Sequence, residues 1–376
     1  MKKSLLALAV LGAFAGTASA QSSVTIYGVL DMSIAKGNCA SSATTACAVN
    51  PGAATGAANT TNALNYTDSW NLQQSTTSRL GFRGNEDLGG GLSAQFQIEH
   101  RFNPDTGAQN QTPFWNGRSY VQLTSAAAGA VYLGREYTPA FWVQLKSDPF
   151  GNDGVGQTGV GITWAGYMTP DQPSGVTTTP QAAWPLGGSA RSSNTVGYKT
   201  PSMGGLTANV AVSLSETSGQ GRNVGFNAEY AAGPIYAGLG YEKITDGASD
   251  GRGVMNLAVH YNLGFVKPIF YYAKSKVGAG GNFSNKVYLL AATAPLGNGV
   301  VKFGYSRISL DSALNLPEDK HTKLGLGYNY NLSKRTNLYF DMGSASGVAA
   351  RGPATAVTYV KGDRNTAYAI GVRHTF

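Results

Sequence analysis

From Val24 to the C-terminus, apolar and polar residues alternate with a period of two in segments of about 10 residues, the length of a tilted transmembrane strand. Leu92, Ala94, Phe96, Ile98, His100 and Phe102 share one face, and Ser93, Gln95, Gln97, Glu99 and Arg101 the other. Val224, Phe226, Ala228 and Tyr230 likewise oppose Asn223, Gly225, Asn227 and Glu229. Leu324, Leu326, Tyr328 and Tyr330 oppose Lys323, Gly325, Gly327 and Asn329. A soluble β-sandwich also alternates. Here the polar face is rich in Gly and Asn, and Tyr and Phe gather at strand ends like an interfacial girdle, which favours an all-β transmembrane barrel.

The connections support this, because they alternate between short and long. Short ones carry hairpin chemistry, as in Asp87-Leu88-Gly89-Gly90-Gly91, Ala231-Ala232-Gly233-Pro234 and Asn262-Leu263-Gly264. Longer polar stretches fall near 37–76, 103–116, 138–190, 244–251, 277–284, 311–321 and 346–363. Outer-membrane barrels have short turns on one rim and long loops on the other. Counting the segments gives about 16 antiparallel strands, enough to enclose water rather than a packed core. Predicted starts lie near 23, 77, 91, 117, 130, 191, 205, 222, 234, 252, 264, 285, 299, 321, 335 and 364, with the facing of 264–276 and 285–294 ambiguous. The 138–190 stretch is long and aromatic, with Phe141, Trp142, Phe150, Trp164 and Tyr167, and reads as a loop folded into the barrel.

The N-terminus gives the compartment. Lys2 and Lys3, the apolar run Leu5 to Phe14 and Ala18-Ser19-Ala20 form the charge, core and cleavage site of a secretory signal. Residues 1–20 are therefore expected to be removed, and 21–376 to form one barrel. The apolar run is too short for a membrane helix, which needs about 20 residues. Charged residues are only 13% of the chain and 50 residues are Gly. The net charge is +8, or +6 without Lys2 and Lys3, but the basic residues are scattered and form no nucleic-acid-binding stripe. Cys39 and Cys47 sit in a polar stretch of an exported chain and read as a loop-stapling disulfide, with two free thiols the alternative. No metal-ligand set accompanies them and no cofactor is expected.

Several strings resemble the trimeric general porins of Gram-negative outer membranes, of the betaproteobacterial type. They are Ser22-Ser23-Val24-Thr25-Ile26-Tyr27-Gly28, Ser78 to Leu92 (SRLGFRGNEDLGGGL), Gly134-Arg135-Glu136-Tyr137-Thr138-Pro139, Asp148-Pro149-Phe150-Gly151 and Gly371-Val372-Arg373-His374-Thr375-Phe376. The resemblance implies a 16-stranded barrel, a homotrimer, an inward third loop that narrows the pore, and lipid and lipopolysaccharide surroundings. It implies recognition of the Phe376 strand by the barrel-assembly machinery, and an arginine ladder that selects anions. Arg79 and Arg191 match that ladder. Arg118 precedes Ser119 and Val121 as one of the family's basic residues does, Gly117 replaces a second, and Arg101 stands where an acid can occur.

Strand parity points the same way. Arg79 and Arg83 oppose Leu80 and Phe82; Arg118, Tyr120 and Gln122 oppose Ser119, Val121 and Leu123; Arg191, Ser193 and Thr195 oppose Asn194, Val196 and Tyr198. Guanidinium groups stay charged at any working pH, and rings of them are how pores favour anions. Glu99, Asp148 and Asp153 are the acids placed to offset Arg79, Arg83, Arg101, Arg118 and Arg191. The expected function is passive diffusion of small hydrophilic solutes with anion preference. A channel specific for sugars or organic acids, guided by Trp142, Trp164 and Tyr167, is the main alternative, and a surface adhesin a further one. Catalysis is not expected, because no nucleophile–base–orienter set emerges around His100, His260, His321 or His374.

Overall fold

The computed structural model describes residues 23–38, 68–110, 113–158, 190–216, 221–246, 250–277, 283–309, 320–351 and 358–376. The cleavage site, Cys39, Cys47, Trp164 and Tyr167 lie outside the described residues. Successive antiparallel hairpins begin with β1 (Ser23–Gly37), β2 (Asn71–Gln73), β3 (Ser78–Gly89), β4 (Leu92–Phe102), β5 (Ser119–Ser125) and β6 (Gly129–Tyr137). A helix, α1 (Pro139–Ser147), precedes β7 (Arg191–Lys199), β8 (Leu206–Ser213), β9 (Arg222–Ala232), β10 (Ile235–Thr245) and β11 (Gly253–Tyr261). The chain closes through β12 (Lys267–Val277), β13 (Phe283–Leu296), β14 (Gly299–Ser309), β15 (Lys320–Asn331), β16 (Thr336–Arg351) and β17 (Thr358–Thr375).

Apart from β2 and β3, which both pair with β1, each strand pairs with its sequence neighbours, and β1 pairs with β17 from Val29↔Thr375 to Gly37↔Ala367. Phe376 finishes the seam, its N–H donating to the Gly28 carbonyl at 3.1 Å and its carbonyl accepting from Gly28 N at 3.0 Å. β2 and β3 follow one another along the other side of β1, facing Ala35–Ser33 and Val29–Ser23. The strands thus fill 16 positions of a closed antiparallel barrel. Closure leaves no sheet edge, so every strand finds its hydrogen bonds within the wall, as crossing lipid requires.

The alternation runs apolar-out and polar-in. Val224, Phe226 and Tyr230 are exposed on the outside while Asn223, Asn227 and Glu229 are buried on the inside. The inner wall is itself apolar over β10–β14, where Ile244, Val254, Ala258, Ile269, Tyr271, Val287 and Leu289 pack in one cluster with Ala140, Phe141 and Val143 of α1. The inward loop covers this patch, so β12 and β13 are apolar on both faces. This double covering is the reason their facing is ambiguous in the sequence.

Two expectations need correction. The 37–76 stretch contains β2, three residues that extend the wall. The 138–190 stretch enters the barrel as expected and opens with α1. The hairpin expected to open at 346–363 stays paired as far as Arg351↔Thr358, with a register shift between Gly347 and Ala349. Cross-strand pairing satisfies backbone groups that a longer loop would leave to solvent.

Candidate channel constriction

The loop entering the lumen starts with Pro139 at the first position of α1, where its missing N–H costs nothing. The wall holds the helix at both ends. Glu242 Oε1 accepts from Ala140 N at 2.6 Å, placing a carboxylate at the positive helix N-terminus. Asn256 Nδ2 donates to the Ala140 carbonyl at 2.8 Å. A Cβ on Gly240 would fall 2.6 Å from Ala140 Cα, so a larger residue there would displace the helix. Lys146, in the last turn, pairs with Glu229, and Ser147 Oγ lies 3.2 Å from His260 Nε2. His260, for which the sequence offered no partner, serves as a docking contact.

Beyond α1 the chain crosses the lumen. Asp148 folds this segment: its carboxylate accepts from Phe150 N at 2.9 Å, Thr158 N at 3.1 Å and Thr158 Oγ1 at 2.9 Å. Burial pushes its pKa up against those bonds. Phe150 sits under Lys302 Nζ, 4.4 Å from the ring centroid, and Lys302 pairs with Asp341 at 2.9 Å. The Thr158 carbonyl accepts from Ser306 Oγ on β14. Gly154, at φ +70°, passes so close to Ser75 that a Cβ would lie 2.0 Å from its Oγ. The break between β2 and β3 thus receives the far side of the loop.

Against this loop stands a basic wall. Arg79 and Arg101 are direct partners across β3 and β4. Arg101 Nε pairs with Glu99 Oε1 at 3.0 Å, and its Nη2 donates to the Tyr137 hydroxyl at 2.8 Å. Arg191 Nη2 donates to the same oxygen at 2.7 Å, with its guanidinium 4.4 Å from the Tyr137 ring centroid. Arg118 Nε bonds Glu136 Oε1 at 2.7 Å and Nη1 bonds Gln97 Oε1 at 3.0 Å, and the group rests over Trp142 at 5.3 Å. Arg83 lies 5.4 Å from the Tyr27 ring. Arg79 and Arg83 have no ion-pair partner among the described residues.

Parity thus places Arg79, Arg83, Arg101, Arg118 and Arg191 on the lumen wall, with one irregularity. Between Gly134/Thr195 and Glu136/Ser192 the register shifts, and Asn194 takes φ 54°. This bulge lets Arg135 reach Ser193 Oγ at 2.9 Å and turns Glu136 and Tyr137 both inward. Asp153 faces Arg101, Arg79 and Arg373; burial nonetheless raises its pKa to about 6, with Asp31 adding to the rise. Asp148, expected to offset the arginines, is enclosed within the loop instead.

A profile of the Gram-negative porin family matches residues 7–350. The chain belongs to that family. Outer membrane porin protein 32 of Delftia acidovorans is 32% identical to this porin over 395 residues, covering all of both chains. An outer membrane porin protein of Bordetella pertussis is 28% identical, again over the full length of both. The solved structure of an anion-selective porin from Comamonas acidovorans superposes with a TM-score of 0.72 at 28% identity, covering 95% of this porin and 100% of that chain. OmpT of Vibrio cholerae, 13% identical with a TM-score of 0.63, shares the fold. This porin resides in the Gram-negative outer membrane.

Three residues that shape the constriction escaped the sequence reading. Glu136 shares inward parity with Tyr132 and could have been placed by it. Tyr137 was not recoverable, because the bulge sets its direction. Glu242 was also on inward parity, but its partner lies 102 residues earlier in the chain.

Proposed function

We propose that this porin is a general diffusion channel for small hydrophilic solutes, with anion preference set by the arginines of β3, β4 and β7 and by Arg118. The carrying observation is the charge imbalance at the constriction. Arg79, Arg83, Arg101, Arg118, Arg135 and Arg191 stand against Glu99, Glu136, Glu242 and Asp153, and Arg79 and Arg83 have no ion-pair partner among the described residues. Low-dielectric walls focus such a field on passing solutes. The Comamonas relative is itself an anion-selective porin, which agrees with this reading.

A sugar-guiding aromatic track has less support, since the Trp142 ring is covered by Arg118 at 5.3 Å and by Tyr137 at 5.0 Å. The proposal includes removal of residues 1–20, assembly of three barrels, and recognition of the Phe376 strand during assembly. In liposomes carrying the purified protein, influx of anionic and neutral solutes should rise linearly with concentration, anions faster at equal size. Influx that saturates for one solute class would replace general diffusion with a substrate-specific channel.

A further inference from the structure

The seam between β1 and β17 closes the wall down to Phe376, and β1 runs on past it towards the short-turn rim. On the β3 side this overhang is paired throughout, from Ser23↔Asn85 to Val29↔Arg79. On the other side, pairing with β17 starts only at Val29↔Thr375, preceded by the exchange of both backbone bonds between Gly28 and Phe376. Among the described residues no strand lies against that side of Ser23 to Tyr27. In an antiparallel ladder, the residues that bond to one neighbour recur at every second position. Gly28 turns its N–H and C=O to Phe376, so Ile26 and Val24 turn theirs to the same, open side. Their side chains are exposed on the outside of the barrel.

An open strand edge is a template for one more strand. This one lies at the periplasmic level, because Ser23 is opposite Asn85, close to the turn at Gly89–Gly91, and short turns face the periplasm. The same edge within hydrocarbon would leave backbone groups unsatisfied. The slot itself selects the strand that fits. A segment antiparallel to β1 continues the line of β17, so its first residue meets the Phe376 carboxylate. Any preceding residue would collide with that carboxylate, whereas a free α-ammonium pairs with it. A parallel segment would end there with a second carboxylate, and the two would repel. Across the slot is the turn that carries Lys334 and Arg335, where the Arg335 carbonyl accepts from Thr375 N at 2.8 Å. Both side chains are exposed and have no ion-pair partner among the described residues, which favours an acidic side chain in the added segment. This chain cannot supply the segment. With residues 1–20 removed, only Gln21 and Ser22 precede Ser23, too few for a turn and a returning strand, and a second copy is limited in the same way.

We infer that the Val24–Ile26 edge binds the free N-terminus of a periplasmic polypeptide as an added antiparallel strand. Its alternate residues are apolar, to match Val24 and Ile26, and its α-ammonium sits on the Phe376 carboxylate. This rests on the outer-membrane location and on removal of residues 1–20, which the intact mass of the purified protein reports separately, and not on the ion selectivity of the pore. The probes are the synthetic hexapeptide Ala-Val-Thr-Val-Glu-Gly, with a free amine and a C-terminal fluorophore, and its N-acetylated form. The readout is fluorescence anisotropy with the purified, folded protein in detergent. The free-amine peptide should bind saturably, and acetylation should weaken it about tenfold, the loss of one hydrogen bond between charged groups. Ile26→Pro removes an N–H that only the added strand uses, a substitution that strand edges accept. It should abolish binding while single-channel conductance stays at the wild-type value, which shows that the variant is folded. The comparison of the two peptides on the wild type decides the matter even if that variant does not fold. Absence of binding by the free-amine peptide, equal binding of both peptides, or undiminished binding to folded Ile26→Pro protein would overturn the assignment.

Discussion

Glu242 is the point at which the constriction helix is most directly tied to the wall, so its removal should appear as motion in the pore. Its carboxylate accepts from Ala140 N at 2.6 Å in a site closed to water. A hydrogen bond to a charged group contributes about 1.5–3 kcal/mol, and without it the Ala140 N–H has no wall partner. Glu242→Ala should therefore raise the undocked fraction of α1 by roughly 10- to 150-fold. Glu242→Gln keeps an acceptor but loses the charge, at about 1 kcal/mol or roughly fivefold. The two variants carry the same charge, so a purely electrostatic effect on the current would be equal in both. Asn256 and the Lys146–Glu229 pair still hold α1, so the main open level should persist. Single-channel recordings at fixed voltage should show brief excursions from that level, rare in the wild type, more frequent in Glu242→Gln and most frequent in Glu242→Ala. Indistinguishable traces from all three, or more excursions in the Gln variant than the Ala variant, would refute the anchoring role.

Asp153 has a pKa raised to about 6, so it is ionised at neutral pH and gains a proton as the pH falls through that value. Anion preference should therefore increase between about pH 7 and 5, and Asp153→Asn should show the low-pH preference throughout; parallel profiles for the two proteins would contradict this. Asp31 accepts from Arg373 Nε at 2.8 Å, the Tyr339 hydroxyl at 2.6 Å and Ser75 N at 2.8 Å, joining β1, β16, β17 and the break before β3. Arg373→Met should lower the urea midpoint by an amount equivalent to about 3–5 kcal/mol, and Asp31→Asn/Arg373→Met should recover most of it. Gly154→Ala combines an unfavourable φ with a 2.0 Å contact at Ser75 Oγ and should increase protease cleavage within 148–158 while leaving the urea midpoint near the wild-type value.

The barrel was legible because its wall obeys one rule, alternation with period two, and lipid-facing Val224 and Phe226 differ chemically from lumen-facing Asn223 and Asn227. The rule fails where a second layer lies inside the barrel. Ile269, Tyr271, Val287 and Leu289 belong to the apolar cluster inside the barrel that also holds Ala140, Phe141 and Val143 of α1, and α1 is more than a hundred residues away in sequence. The arginines could be placed because parity needs only their own strand. Their pairing could not, because Arg118 meets Glu136 through the register of β5 on β6, and Arg101 meets Arg191 through Tyr137 across a bulge. Which arginines are neutralised is a property of the sheet.

That distinction sets the decisive measurement, the zero-current potential of the protein in a planar bilayer under a salt gradient, for the wild type and for Arg79→Glu/Arg83→Glu. The expected result is an anion-selective sign that weakens as salt rises, and a shift to or beyond zero in the variant, because these two guanidiniums lack an ion-pair partner among the described residues. A cation-selective or null potential in the wild type, or an unchanged potential in the variant, would contradict it.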